Sequence, residues 1–404
     1  MSKKETIYII GGGIIGCTTA YYLTKHPKFD KTKTQIIILE SNDIACAASG
    51  KAGGLLASWA FPTKLGELSF RLHQSLAIEY QGDINWDYRH LPTITLDADL
   101  TTGKDNNEVS YDMNLPPNLN WIDPKYVTNW TKLSEKDSTA QVHPYKFTKF
   151  ILQKAMESHC ITLIYGKVIN ININDETEHL QSFEYIPIMK TTHNKSLVSS
   201  STPNEVNLTL EDKIILCTGP WVPKLLPQCP ISGMKAHSIT IESKDHMGGN
   251  CNIEPYALFN EIKLNDVDLY TPEIYARKHD IYVCGEGDNM TELPDPMKDV
   301  EVNPGECDKL YKYASMLSPI QIGQGQIIRR QACFLPVLNV ATCSGPLIGE
   351  TDINNLFMAS GHSCWGINNS CATGKLISEL VFDGEATSCN IDNLNPQLYF
   401  QVSC

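Results

Sequence analysis

The sequence predicts an α/β fold, with a Rossmann-like domain of parallel strands into which an α+β domain on an antiparallel sheet is inserted in two pieces. Three observations predict it. The chain opens on a strand–glycine–helix–strand unit over residues 6–40. Short apolar runs of the buried-strand type return at 213–217 and 356–360. Between them lie segments that alternate as antiparallel strands do, most clearly over 269–287.

The elements follow in order. Residues 6–10 (Thr-Ile-Tyr-Ile-Ile) are β-branched and apolar, which suits a strand buried on both faces. Glycines follow, then a helix from Ile14 to about His26, then a second buried strand at 35–39 closed by Glu40. Residues 144–158 read as a helix, and 161–173 as strands broken at Gly166. Residues 187–207, rich in Ser, Thr, Asn and Lys with Pro187 and Pro203, read as a mobile loop or hairpin connection outside the core. A last helix is expected over 371–383. The nucleotide domain is expected to comprise 1–70, 140–233 and 328–404, and the inserted domain 71–139 and 234–327.

Composition narrows the function classes. With 33 Lys+Arg against 46 Asp+Glu, the formal charge of −13 argues against broad binding to nucleic acid or anionic membranes. No apolar run approaches the ~20 residues that span a bilayer. Residues 1–6 lack a secretory pattern, and the last residues match no peroxisomal or prenylation signal, so a cytosolic chain is expected. The 14 cysteines are scattered without a C-x-x-C pair, which suits reduced core residues, and no metal-ligand cluster appears.

The first motif that carries chemistry is Gly11-x-Gly13-x-x-Gly16, placed between strand and helix. The first glycine permits a tight turn, the second lets backbone approach a pyrophosphate, and the third permits close helix packing. The helix start at Ile14 and Ile15 offers N–H groups and a positive dipole end to phosphates. Glu40, followed by Ser41, stands where a carboxylate accepts bonds from ribose hydroxyls. This unit alone does not separate FAD from NAD.

Later segments narrow the choice. Ala48-Ser49-Gly50-Lys51-Ala52-Gly53-Gly54-Leu55, Cys217-Thr218-Gly219-Pro220-Trp221, Ser360–Gly366 and Ala372-Thr373-Gly374-Lys375 occur in that order. Together they resemble the signature segments of the D-amino-acid-oxidase (DAO) superfamily of FAD-dependent oxidoreductases. Ser49–Phe61, His143–Phe147 and Gly361–Asn369 are similar to a fungal subgroup from yeasts, some of whose members are linked to late endosomes.

The resemblance implies a glutathione-reductase-type FAD domain and an inserted substrate domain. It implies that Gly11, Gly13, Ile14, Ile15 and Gly16 hold the pyrophosphate, and Glu40 and Ser41 the adenosine ribose. Ser49, Gly50, Lys51, Ala52, Gly53, Gly54 and Leu55 would line the flavin. The backbone of Val168 would read adenine, with Thr218, Gly219 and Trp221 also beside the cofactor. Gly361, His362, Trp365, Gly366 and Ile367 would sit over the pyrimidine end, with the helix from Ala372 aiming its dipole there. The implied activity is oxidation of a C–N bond in an amine or amino-acid-derived small molecule, with electrons passed to oxygen or another acceptor. The alternative is an FAD-binding protein with little catalysis, acting in endosomal trafficking with a protein partner. A monomer is expected.

The pattern breaks at informative places. In Ala332-Cys333-Phe334-Leu335-Pro336, leucine stands where amino-acid oxidases carry a carboxylate-binding arginine, and Asn368 stands where sarcosine-oxidase-like members carry a lysine. Arg329 and Arg330 are either substitutes or surface charges. Cys333 is either a flavin-linked cysteine, as in sarcosine-oxidase-like enzymes, or a buried free thiol; the free thiol, and so a non-covalent flavin, is preferred. His362 is a candidate proton shuttle or a simple hydrogen-bonding group. Tyr275 and Arg277 are candidates to orient substrate, and His237 either faces substrate or is a satisfied strand residue. Trp59, Phe61, Trp86 and Tyr88 are either an aromatic wall or core.

Overall fold

A computed structural model describes residues 4–101, 114–174, 176–190, 197–200, 202–247, 253–343 and 345–402. The opening strand Glu5–Ile10 lies at the centre of a mostly parallel sheet. It pairs in parallel with Thr34–Glu40 on one side and with Lys213–Leu216 on the other. Ile161–Asn174 and Leu356–Ser360 extend the parallel set outward, and Leu347–Glu350 adds an antiparallel edge. Both faces of the central strand are buried, as its composition requires. Ile7 and Ile9 pack under the helices Ile14–Lys25, Pro144–Met156 and Gly366–Asp383. Tyr8 and Ile10 pack on the other side with Phe183, Leu226 and Leu338.

The inserted sheet is dominated by antiparallel pairs. Its order is Gln326–Leu338, Ile231–Glu242, Ile281–Asp288, Glu273–Ala276, Ala257–Lys263, Thr93–Asp99 and Val127–Ser134, with Leu269–Tyr270 paired beside Ala257–Lys263. One face packs on the helix Pro304–Leu317 through Ile239, Ile241, Val283, Leu310 and Ala314. The other face turns Tyr275 and Tyr282 toward Leu55 of the nucleotide domain.

Several expectations change. Ile161–Asn174 is one continuous strand and does not break at Gly166; there a Cβ would stand 2.5 Å from the Tyr185 ring, so the glycine serves close approach of the neighbouring strand. The register slips instead between Val168 and Asn170. The last helix starts at Gly366, well before 371. The expected domain boundaries near 70, 233 and 327 fall inside the helix Thr63–Glu79 and the strands Ile231–Glu242 and Gln326–Leu338. Of the segment 187–207, residues 191–196 and 201 lie outside the described residues. Its described parts add edge strands at Leu197–Ser199 and Asn204–Asn207 to His179–Lys190.

The closing helix crosses the first helix at its glycine. A Cβ on Gly374 would lie 2.6 Å from the Thr18 carbonyl carbon, and the Thr18 hydroxyl donates to the Ser370 carbonyl at 2.9 Å. Gly374→Val is therefore expected to lower the urea-unfolding free energy by about 1–3 kcal/mol, the usual cost of overpacking. An unchanged urea midpoint would show that the two helices do not meet so closely.

Candidate functional site

The site begins where the first strand ends. Gly11 takes φ +112°, and a Cβ there would stand 2.5 Å from the Cys217 carbonyl oxygen. A Cβ on Gly16 would stand 2.0 Å from the Gly11 carbonyl oxygen. Both positions are closed by protein. Gly13 differs: its Cβ position meets only the Ser49 hydroxyl, at 3.1 Å, and otherwise opens into a cavity. The Ile14 amide donates to that hydroxyl at 2.9 Å. The Gly13 and Ile15 amides make no protein hydrogen bond among the described residues and border the cavity.

Glu40, buried at the end of the second strand, is fixed by backbone. One carboxylate oxygen accepts from the Gly12 amide at 2.6 Å, the other from the Asn42 amide at 2.7 Å. The cavity encloses about 550 Å³, within the usual range for a bound small molecule. Its lining takes in Glu40 and Val168 beside the sheet, the glycine turn, and Leu335, His362, Cys364 and Ile367 on the far side. Lys167 and Asp295, joined in an ion pair, bring the two domains together at its rim. The Thr218 hydroxyl oxygen is buried at the cavity without a hydrogen-bond partner among the described residues. Trp221 is anchored by its indole N–H, which donates to the Pro294 carbonyl at 2.7 Å.

Of the residues singled out from sequence, Gly11, Gly13, Ile14, Ile15, Glu40, Ser41, Ser49, Ala52, Val168, Thr218, Gly219, Trp221, His362, Gly366 and Ile367 line this cavity. Others lie behind it. Gly16 packs on Gly11, Gly50 on the Ala45 carbonyl, Gly53 on the Tyr275 ring and Gly54 on the Val142 carbonyl. Lys51 turns its ammonium to the Ala332 carbonyl at 2.9 Å, and Leu55 is buried with Leu91 and Ala257. Gly361 (φ +85°) shapes the turn, Trp365 stands edge-on to Trp59, and Cys333 is buried. The helix dipole is re-aimed as well: the helix begins at Gly366, and the Ala372 amide donates to the Ser69 hydroxyl.

The candidate reactive groups separate. His362 is buried, Nε2 3.0 Å from the Thr373 hydroxyl, and burial pushes its pKa down to about 3. Arg277 is locked in a two-point ion pair with Asp280 and lines a separate small pocket with Asp87 and His143. Tyr275 donates its hydroxyl to Glu273. His237 accepts from the Asn303 amide at 3.0 Å and is a satisfied strand residue. Arg329 and Arg330 are exposed, Arg330 pairing with Asp308. Asn368 is buried, taking the Ala57 amide at 2.8 Å and giving to Asn369 at 3.0 Å. Trp86 is core, whereas Trp59 and Phe61 are partly exposed. Lys224 and Asp295 line the cavity and were missed; Cys364 lines it from within the Ser360–Gly366 segment. Asp295 sits in Leu-Pro-Asp-Pro, where the sequence signals only a turn. No helix among the described residues is long and apolar enough to cross a membrane.

Comparison with known proteins agrees with this geometry. The family described as FAD dependent oxidoreductase (DAO) matches residues 6–380. "Putative oxidoreductase TDA3" of Saccharomyces cerevisiae is 40% identical, covering 99% of this chain and 96% of its own. "Putative oxidoreductase C1F5.03c" of Schizosaccharomyces pombe is 36% identical, covering 98% and 99%. Among solved structures, iminodiacetate oxidase from Chelativorans sp. BNC1 superposes with a TM-score of 0.69 at 16% identity, covering 97% of this chain and 99% of its own. Glycine oxidase from Bacillus cereus gives 0.68 at 17%, covering 95% and 96%.

Two outcomes follow. Gly13→Val is expected to keep the melting temperature of the apoprotein but sharply lower visible flavin absorbance per mole, because its side chain would fill the cavity. Full flavin content would place the cofactor elsewhere. The second concerns pH. Burial lowers His362 to about 3 and His73 to about 4 from 6.5. Below pH 6.5 the unfolded chain binds protons that the folded chain refuses, so stability is full above 6.5 and is lost as pH falls toward 4. Each histidine contributes a slope of up to ~1.4 kcal/mol per pH unit. Urea midpoints measured between pH 7.5 and 4.5 should fall accordingly, and His362→Asn should flatten the fall; an unaltered slope would contradict the assignment.

Proposed function

Because this chain belongs to the DAO family of FAD-dependent oxidoreductases, we propose that its cavity holds FAD non-covalently and that the protein oxidises a C–N bond of a small amine or amino-acid-derived substrate. The observation that carries this reading is the meeting, in one cavity, of open Gly13 and Ile15 amides with the fixed carboxylate of Glu40. The amides suit a pyrophosphate at a helix N-terminus, and the carboxylate suits ribose hydroxyls. The unpartnered Thr218 hydroxyl is a further polar group that a ligand would satisfy. The residues present therefore fit the cofactor.

When bound, FAD supplies two-electron acceptance from a C–N bond. The chain's own residues bind, orient and exclude water. The first turn of the closing helix, at Gly366 and Ile367, presents its positive dipole end to the cavity. Phe334, Leu335 and Pro336 supply an apolar wall from the inserted sheet. Non-covalent attachment is supported by Cys333, whose thiol pKa burial pushes up to about 11, leaving little thiolate to attack a flavin. A C–N substrate is supported by the names of the structural neighbours, an iminodiacetate oxidase and a glycine oxidase. Leu335 and Asn368 favour a second reading, in which FAD is kept as structure and the chain, a cytosolic monomer, works peripherally at late endosomes with a trafficking partner.

Acid precipitation of the purified yellow protein should leave the colour in the supernatant, with FAD identified there by mass spectrometry. A yellow pellet lost on Cys333→Ser would overturn the non-covalent claim. D-amino acids, glycine and sarcosine should turn over far below the usual enzyme range of ~1–10³ s⁻¹, because a carboxylate would enter a largely apolar site without an arginine. Turnover within that range on any of them would contradict this. Failure of every amine as well would leave the second reading.

A further inference from the structure

The face of the inserted sheet that looks toward the cofactor cavity carries a carboxylate with no cation beside it among the described residues. Side chains alternate along a strand, so Glu273 and Tyr275 share a face. The antiparallel register sets Cys284 opposite Glu273 and Tyr282 opposite Tyr275. Contacts fix which way this face looks. The Cβ position of Gly53 lies 2.3 Å from the Tyr275 ring. The Tyr282 hydroxyl and the Gln331 amide donate to the Lys51 carbonyl at 3.1 and 3.0 Å, and Ala52, between Lys51 and Gly53, lines the cavity. Cys364 lines the cavity from the closing segment, and its thiol pKa is raised by burial and then by the charge of Glu273. Glu273 thus lies on the sheet face that packs against the Lys51–Gly53 loop, near enough to Cys364 for its charge to be felt there, and just behind the residues that line the cavity.

Its bonds are asymmetric. Oε2 accepts from the Tyr275 hydroxyl and from the Cys284 thiol at 3.7 Å, while Oε1 has no hydrogen-bond partner among the described residues. Among the described residues no lysine, arginine or histidine pairs with it. Burial accordingly raises its pKa. Glu273 is half-buried, and a partly desolvated carboxylate gains from a cation or further hydrogen bonds. Beside this sheet the groups that would instead greet a substrate carboxylate are spent or replaced by apolar ones; Lys224, which lines the cavity, comes from the Gly219–Lys224 turn of the other domain. Leu335 is apolar, Asn368 is used by Ala57 and Asn369, Arg277 is held by Asp280, and Lys51 points to Ala332.

We propose that Glu273 determines specificity by accepting the ammonium of a cationic amine that carries no carboxylate, of the alkylamine or polyamine type. The assignment rests on the FAD reading above and names its substrate class. The ammonium donates to the open Oε1, while Tyr275 holds Oε2 and so orients the carboxylate. Phe259, the half-buried cross-strand neighbour of Glu273, offers an apolar wall to an alkyl chain. The pairing is a binding step in which no electron moves.

Calorimetric titration of the FAD-loaded protein with n-butylamine, putrescine and butyrate tests it. Both amines should bind roughly tenfold to a hundredfold more tightly than butyrate, the range for a hydrogen bond to a charged partner. Glu273→Gln should remove that advantage with flavin content and melting temperature unchanged, and Glu273→Asp should retain a preference for the amines. Should the glutamine variant misfold, the wild-type comparison alone decides. Butyrate binding as tightly as butylamine, no binding of either amine, or a folded glutamine variant with wild-type amine affinity would overturn the assignment while leaving the FAD reading intact. Protein that neither carries nor takes up FAD would overturn the FAD reading itself.

Discussion

The approach of Gly16 to the Gly11 carbonyl governs the rest of the structure. With only 2.0 Å between that oxygen and the place where a Cβ would sit, no larger residue can hold the first helix this close to the end of the first strand. Gly11 makes a second such approach, to the Cys217 carbonyl just past the neighbouring strand Lys213–Leu216. Together they set three backbone segments at van der Waals limits, and the helix start is aimed by backbone alone. Amides at Gly13 and Ile15 then face the cavity, and the Gly12 amide reaches Glu40. The closing helix is placed by the same device, through Gly374 on Thr18, so two helix starts border one cavity.

Much of this was legible in sequence because each requirement was local. A positive φ and two close approaches admit only glycine, so Gly11 and Gly16 declare the turn, and Glu40 ends a strand whose composition is unmistakable. The inserted sheet was less legible. Its strands could be placed, but alternation gives two faces without saying which one meets the cavity. Tyr275 does face the nucleotide domain but is spent on Glu273 and Gly53, and Arg277 was taken by Asp280 three residues on. Gly53 and Gly54 belong to a cofactor-loop motif by sequence, yet their own spaces are filled by a tyrosine ring and a carbonyl. Asp295 reaches the site only through tertiary placement, whereas Cys364 comes with the Ser360–Gly366 segment.

The two acids near the cavity illustrate how burial and bonding divide roles. Glu40 has both oxygens held by backbone amides, which fixes its direction. Glu273 has one oxygen held by a tyrosine and the other open, with no cation near it among the described residues. The first is a rigid acceptor for hydroxyls; the second suits a ligand that brings its own charge. His362, neutral through burial, adds shape and a hydrogen bond without adding charge.

The central claim is that this cavity binds FAD through the glycine turn. A crystal structure of the protein purified with its cofactor tests it most directly. The expected result is a pyrophosphate within hydrogen-bonding distance of the Gly13 and Ile15 amides, a ribose on Glu40, and the flavin ring beneath Leu335 and beside Ile367. Density for a nicotinamide dinucleotide in this cavity, or FAD bound away from the Gly11–Gly16 turn, would contradict the claim.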